Sequence, residues 1–175
     1  RWIMENEARR QRIVSDVINN VREAKHPIIL TERREHAETI NNLIKDSGVN
    51  SIILKGAMKA AERRRVDEHL HSAQAVVATG KYVGEGFDLP RLDTLFLAMP
   101  IAWKGSLAQY AGRIHRESDG KTQVTIHDYV DCGLPMLHRM FNKREKSYKS
   151  MGYTILFSGE SDSSNGTKQL DAMLV

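Results

Sequence analysis

The sequence predicts an α/β fold, with one parallel sheet covered by helices on both faces in a three-layer sandwich. Three observations predict it. Short apolar runs such as Pro27-Ile28-Ile29-Leu30-Thr31 and Ala75-Val76-Val77-Ala78-Thr79 recur along the chain. Segments of helical periodicity, about 10–15 residues long, separate them. Glycine and proline punctuate the junctions. A strand, a crossover helix and a second strand form a βαβ unit, and repeated units build a parallel sheet buried on both sides.

The elements follow in order. From Trp2 to Ala24 the chain is charged and helix-friendly, with Ile13, Val17 and Val21 recurring every four residues beside Val14 and Ile18. That stripe marks an amphipathic helix. Pro27 opens the first strand, through Thr31. A helix runs from Glu35 to Asp46, with Ala37, Ile40, Leu43 and Ile44 on one side, and Gly48 stops it. Ser51-Ile52-Ile53-Leu54 is a strand, and Lys59 to Leu70 a charged helix. Strands Ala75–Thr79 and Thr94–Ala98 come next, then a helix from Ser106 to Ile114, a strand over Gln123–Asp128 and a last helix from Pro135 to Met151. About five central strands result. The stretch from Ser158 to Val175 is rich in Ser, Gly, Asp and Asn and reads as a linker or disordered end. The expected organisation is an N-terminal linking helix over 1–25, the sheet domain over 26–152 and a flexible tail over 153–175.

Composition narrows the function classes. The chain has 175 residues, 26 Lys and Arg against 22 Asp and Glu, and a net charge of +4, which permits a polyanionic partner. No apolar run is long enough to cross a bilayer, and no secretory signal is expected. The single cysteine, Cys132, excludes an intrachain disulfide and a cysteine zinc site. An intracellular location and no obligate oligomer are the expectations. The start at Arg1 rather than methionine reads as a fragment of something longer.

In doubly wound folds the working residues gather at the carboxyl edge of the strands. Two stretches there carry chemistry. Ala78 to Pro90 follows a strand and holds Gly80, Gly84, Gly86 and Asp88. Glycines let backbone approach a ligand, and a carboxylate can accept hydrogen bonds from ribose hydroxyls; an ordinary turn-rich loop is the plain alternative. It is not a P-loop, since no Gly-x-x-x-x-Gly-Lys-Ser/Thr occurs. In the second stretch, Gln109, Arg113 and Arg116 stand at i, i+4 and i+7, one helical face, around Gly112. Two guanidiniums and an amide aimed together suit phosphate oxygens; a solvated basic face is the alternative. Gly112 costs the helix about 1 kcal/mol against alanine. Arg33 and Arg34 follow the first strand and suit backbone phosphates. The basic residues of the last helix, Arg139, Lys143, Arg144, Lys146 and Lys149, suit a polyanion-facing surface, with an ordinary solvated helix the favoured alternative. The seven histidines show no metal spacing.

In this order, the segments resemble the C-terminal RecA-like domain of superfamily 2 helicases and translocases. Ile28 through His36 is similar to motif IV, and Leu54-Lys55-Gly56-Ala57-Met58 to the strand that follows it. Ala78-Thr79 through Gly84-Glu85-Gly86-Phe87-Asp88-Leu89-Pro90 resembles motif V, and Gln109-x-x-Gly112-Arg113-x-x-Arg116 resembles motif VI. The resemblance covers about residues 26 to 150.

It implies that Arg113 and Arg116 act as arginine fingers on the ATP γ-phosphate, that Gly86, Asp88 and Gln109 serve the nucleotide, and that Arg33, Gly56 and Thr79 meet the nucleic-acid backbone. No metal ligand is implied in this chain. ATP and Mg2+ would be bound mainly by an N-terminal RecA-like domain, whose P-loop and carboxylates this sequence lacks. Glu85, Phe87 and His115 depart from the DEAD-box RNA helicase pattern and lean the expected substrate toward DNA over RNA. The alternatives are a non-catalytic nucleic-acid or protein binding module derived from a helicase domain, and a nucleotide-sugar transferase on a similar fold.

Overall fold

Apolar runs at strand length and amphipathic runs at helix length give the chain its layers. A computed structural model describes residues 2–56, 58–80, 89–100, 104–131, 134–158 and 167–174. After a short turn of helix, α1 (Trp2–Glu5), come α2 (Glu7–Arg22), β1 (Pro27–Thr31), α3 (Arg34–Asp46), β2 (Ser51–Leu54), α4 (Ala60–Leu70), β3 (Ala75–Thr79), β4 (Thr94–Leu97), α5 (Lys104–Ile114), β5 (Val124–Asp131), α6 (Pro135–Ser150), β6 (Thr154–Ser158) and β7 (Thr167–Leu174). Asn6 caps α2 by accepting a hydrogen bond from the Arg9 N–H at 3.0 Å. Gly48 ends α3 in a left-handed conformation, φ 86°, as the sequence predicts.

The strands order as β2-β3-β1-β4-β5-β7-β6. β1 to β5 pair in parallel. Strand alternation sends Ile28, Leu30, Val76, Ala78, Leu95 and Leu97 to one face, where they meet Leu70, Leu107, Ile114 and Phe141 of α4, α5 and α6. Ile29, Val77 and Phe96 point to the other face, against Ile13, Val14 and Val17 of α2 and Ala37, Ile40 and Ile44 of α3. β1 and β3 are buried at every position, as expected of central strands covered on both sides.

The sequence leaves open what the first helix packs on. It packs on this sheet. Arg9 is 3% exposed, and its Nη1 donates to the Ala98 carbonyl at 2.6 Å. Its Nε lies 3.4 Å from Asp131 Oδ2, and its guanidinium carbon 5.7 Å from the Tyr129 ring centroid. Burial lowers the Arg9 pKa and the Asp131 carboxylate pushes it back.

The expected flexible tail over 153–175 is overturned across most of its length. β6 and β7 pair antiparallel, and β7 pairs antiparallel with β5 from Val124↔Leu174 to Asp131↔Thr167. The reason lies in the backbone. Without β7, the eight residues of β5 would present a row of unpaired groups, and the returning strand satisfies them. Polar side chains do not oppose this, because the ladder uses main-chain groups. Tyr153 is buried and Ile155 packs against the core, so the segment also has its own apolar anchor.

Candidate functional site

The carboxyl ends of β1, β2 and β3 bring one group of predicted residues together. Thr31 and Thr79 are register partners. The Gly56 N–H donates to Thr79 Oγ1 at 3.4 Å. The Gly56 carbonyl accepts from Arg34 Nη2 at 3.2 Å. The backbone of Gly56 is thus held from both sides. Arg34 is committed to this contact, whereas Arg33 stands exposed at the N-cap of α3 in extended conformation. Lys55 is held between Glu38 at 3.2 Å and Glu62 at 3.3 Å.

The sequence reading assigns no role to His36, yet His36 shapes this edge. Its Nδ1 lies 2.9 Å from Thr31 Oγ1, which closes the turn that carries Arg33 and Arg34. His36 is 4% exposed, and its pKa is lowered to about 4 by burial first and by Arg9 and Arg10 next. The signal was available only as a histidine five residues after a strand-end threonine. A histidine with a depressed pKa takes up its proton more readily unfolded than folded. Its contribution is therefore full above pH 6.5 and is lost as pH falls toward 4, at a ceiling of roughly 3 kcal/mol. His36→Gln should flatten that part of the stability profile. Thermal melts of both proteins between pH 7 and pH 4 check it; parallel profiles would remove the assignment.

The second group lies on α5. Gln109 is exposed and Arg113 half-buried in the last turn. One expectation is corrected: α5 ends at Ile114, so Arg116 lies beyond the helix and does not share a helical face with Gln109 and Arg113. Gly112 sits between the two side chains, and a Cβ there would meet nothing within 4 Å in this chain. The glycine thus leaves an open surface beside Arg113. Gly86 and Asp88 lie outside the described residues. Among the described residues, no group of three His, Cys, Asp or Glu side chains is placed to hold a metal.

Tyr110 ties α5 to the end of β3. Its hydroxyl donates to the Gly80 carbonyl at 3.4 Å, and a Cβ on Gly80 would lie 2.7 Å from that hydroxyl. Gly80→Ala should therefore cost about 1–3 kcal/mol by overpacking. Tyr110→Phe should relieve most of it, since the next atom is 3.7 Å away. Denaturant melts of the single and double variants test the pairing, and additive losses would refute it.

The basic face expected on α6 loses one member. Arg144 is 3% exposed, and its Nε and Nη2 donate to Asp128 at 2.7 and 2.9 Å. Tyr148 donates to the same carboxylate at 2.8 Å. Beside α5, His115 Nε2 bonds the Tyr153 hydroxyl. Burial, and then Lys121, lower the His115 pKa, while burial raises that of Tyr153.

A parallel sheet wrapped on both faces, with Gly56 and Thr79 joined at its carboxyl edge and an arginine-bearing helix after β4, defines a RecA-like domain. The family model described as "Helicase conserved C-terminal domain" matches residues 9–118. The chain belongs to that family. It is 36% identical over 84 residues to Uncharacterized protein 108L of Invertebrate iridescent virus 3, covering 48% of this chain and 76% of that one. It is 27% identical over 159 residues to Putative helicase 161L of Invertebrate iridescent virus 6, covering 84% of this chain and 34% of that one. Putative ATP-dependent helicase IRC3 of Saccharomyces cerevisiae is 24% identical over 107 residues, 61% of this chain and 16% of that protein. The chain thus spans about a third or less of these two helicases.

Among solved structures, T4 UvsW superposes with a TM-score of 0.70 at 15% identity, over 85% of this chain and 33% of that chain. S. cerevisiae Dbp5 bound to RNA and ADP BeF3 superposes with a TM-score of 0.58 at 19% identity, over 79% and 35%. These likenesses establish the fold. No helix among the described residues is long and apolar enough to cross a membrane.

Proposed function

We propose that this chain is the second motor domain of an ATP-dependent helicase or translocase, acting on DNA in preference to RNA. The observation that carries the reading is half-buried Arg113 in the last turn of α5 beside the open Gly112 surface. Planar guanidiniums match phosphate oxygens, and a surface with no Cβ lets a second body approach closely. Arg113 and Arg116 then reach the γ-phosphate of an ATP held with Mg2+ mainly by an N-terminal RecA-like domain of the same protein. Gln109, Gly86 and Asp88 face the nucleotide or couple it to the arginines. ATP binding draws the two domains together and hydrolysis releases them.

At the other edge, exposed Arg33 and the Gly56–Thr79 pair contact one strand's phosphates. A backbone N–H and a threonine hydroxyl read no bases, so binding is sequence-tolerant and weakens with salt. Glu85, Phe87 and His115 support the preference for DNA by departing from the DEAD-box RNA helicase pattern.

The test is ATP hydrolysis by the full-length protein with single- and double-stranded DNA and RNA. DNA should stimulate turnover more than RNA, and stimulation should fall as salt rises. No hydrolysis with any nucleic acid would instead favour a binding module.

A further inference from the structure

We infer that Lys121 is a positioning residue for Arg116, tying the arginine's backbone to the end of the loop between β3 and β4. The inference rests on the reading of Arg116 as a finger. α5 stops at Ile114, two residues before Arg116. The Lys121 ammonium donates to the Arg116 carbonyl at 2.6 Å and to the Pro90 carbonyl at 2.9 Å.

The local chain is shaped for this. The Lys121 N–H donates to the Ser118 carbonyl at 3.1 Å, and Gly120 takes φ 78°, a left-handed conformation that costs glycine nothing. The turn thereby brings the ammonium back over Arg116. Lys121 is half-buried; burial lowers its pKa and Asp93 raises it. A partly desolvated ammonium makes stronger bonds to carbonyls than one in water.

The described residues that flank the connection from β3 to β4 are both held. Gly80 is held by Tyr110 on α5, and Pro90 is held through Lys121 to Arg116 just beyond it. Lys121 thus positions the backbone of Arg116 against Pro90.

The test uses the full-length protein. Lys121→Met keeps the apolar stem and removes the donors. It should lower nucleic-acid-stimulated kcat by ~10- to 100-fold, the scale expected for a charge-stabilising group displaced by about 1 Å. The Kd values for ATP and for nucleic acid should stay within ~2-fold, because a positioning residue acts on the transition state. Lys121→Arg, which retains a cationic donor, should recover most of the loss. Combined with Arg116→Ala, Lys121→Met should add nothing, since both act through one group.

Unchanged kcat in Lys121→Met overturns the inference. So do equal losses in the Met and Arg variants, or losses that multiply in the double variant. If Lys121→Met loses its cooperative melt, Lys121→Gln serves: a fall in kcat with unchanged melting supports the inference, and unchanged kcat overturns it. The two levels separate cleanly. Full turnover in Arg116→Ala removes the finger reading and the inference with it. A loss in Arg116→Ala with none at Lys121 removes the inference alone.

Discussion

Arg113→Ala is expected to reduce nucleic-acid-stimulated ATP turnover in the full-length protein by about 10³- to 10⁵-fold, the range an arginine finger supplies in phosphoryl transfer. Arg113 lies in the last turn of α5, half-buried beside the open Gly112 surface, so its backbone is fixed by the helix as well as by its surroundings. In the proposed role its guanidinium would stabilise charge that develops on the transferred phosphoryl group. It therefore acts on kcat more than on ATP affinity. Arg113→Lys keeps the positive charge and loses the planar fork, so it should recover only part of the rate. Steady-state hydrolysis alongside equilibrium ATP binding separates the effects. Turnover indifferent to Arg113 would dismiss the finger assignment.

Arg144→Met is expected to destabilise the domain by about 3–5 kcal/mol, because it leaves Asp128 charged, buried and short of two donors. Asp128 is 1% exposed, and the Tyr148 hydroxyl would still reach it at 2.8 Å. Burial works against the Arg144 charge, and the Asp128 carboxylate with its hydrogen bonds outweighs it, leaving the arginine pKa raised. Burial, with Asp128 next, holds the Tyr148 pKa well above its ordinary value, so the phenol remains a donor. The pair joins α6 to β5, the strand on which β7 and then β6 are added. Replacing both partners, Asp128→Leu with Arg144→Met, should cost less than Arg144→Met alone, since no buried charge is stranded. Denaturant melts test this. A single variant within about 1 kcal/mol of the parent would mean that water reaches Asp128 readily.

Much of the fold was legible because the strands are buried on both faces. β1 and β3 run between the same residues that the apolar runs predicted. The amphipathic stripe of α2 predicted the buried Ile13, Val14 and Val17, though not the surface they cover. The tail was misread because composition records side chains, and β7 is held to β5 by main-chain pairing. The site divides in the same way. Gly56 and Thr79, both predicted to meet the same backbone, are in hydrogen-bond contact. Arg116 was placed on a helical face by counting residues, and the helix ends two residues too early for that count to apply.

The sequence by itself determined the family, the parallel sheet and the order of the glycine and arginine motifs along it. These are local matters: periodicity records which faces are buried, and motif spacing records which side chains follow each strand. Only the tertiary structure decided that α2 covers this sheet, that Arg144 belongs to Asp128 rather than to a basic surface, and that Lys121 joins Pro90 to Arg116. Each of these depends on at least one hydrogen bond or contact between different elements of the fold. Such pairings require register, burial and direction to agree at once, and no local pattern contains that information.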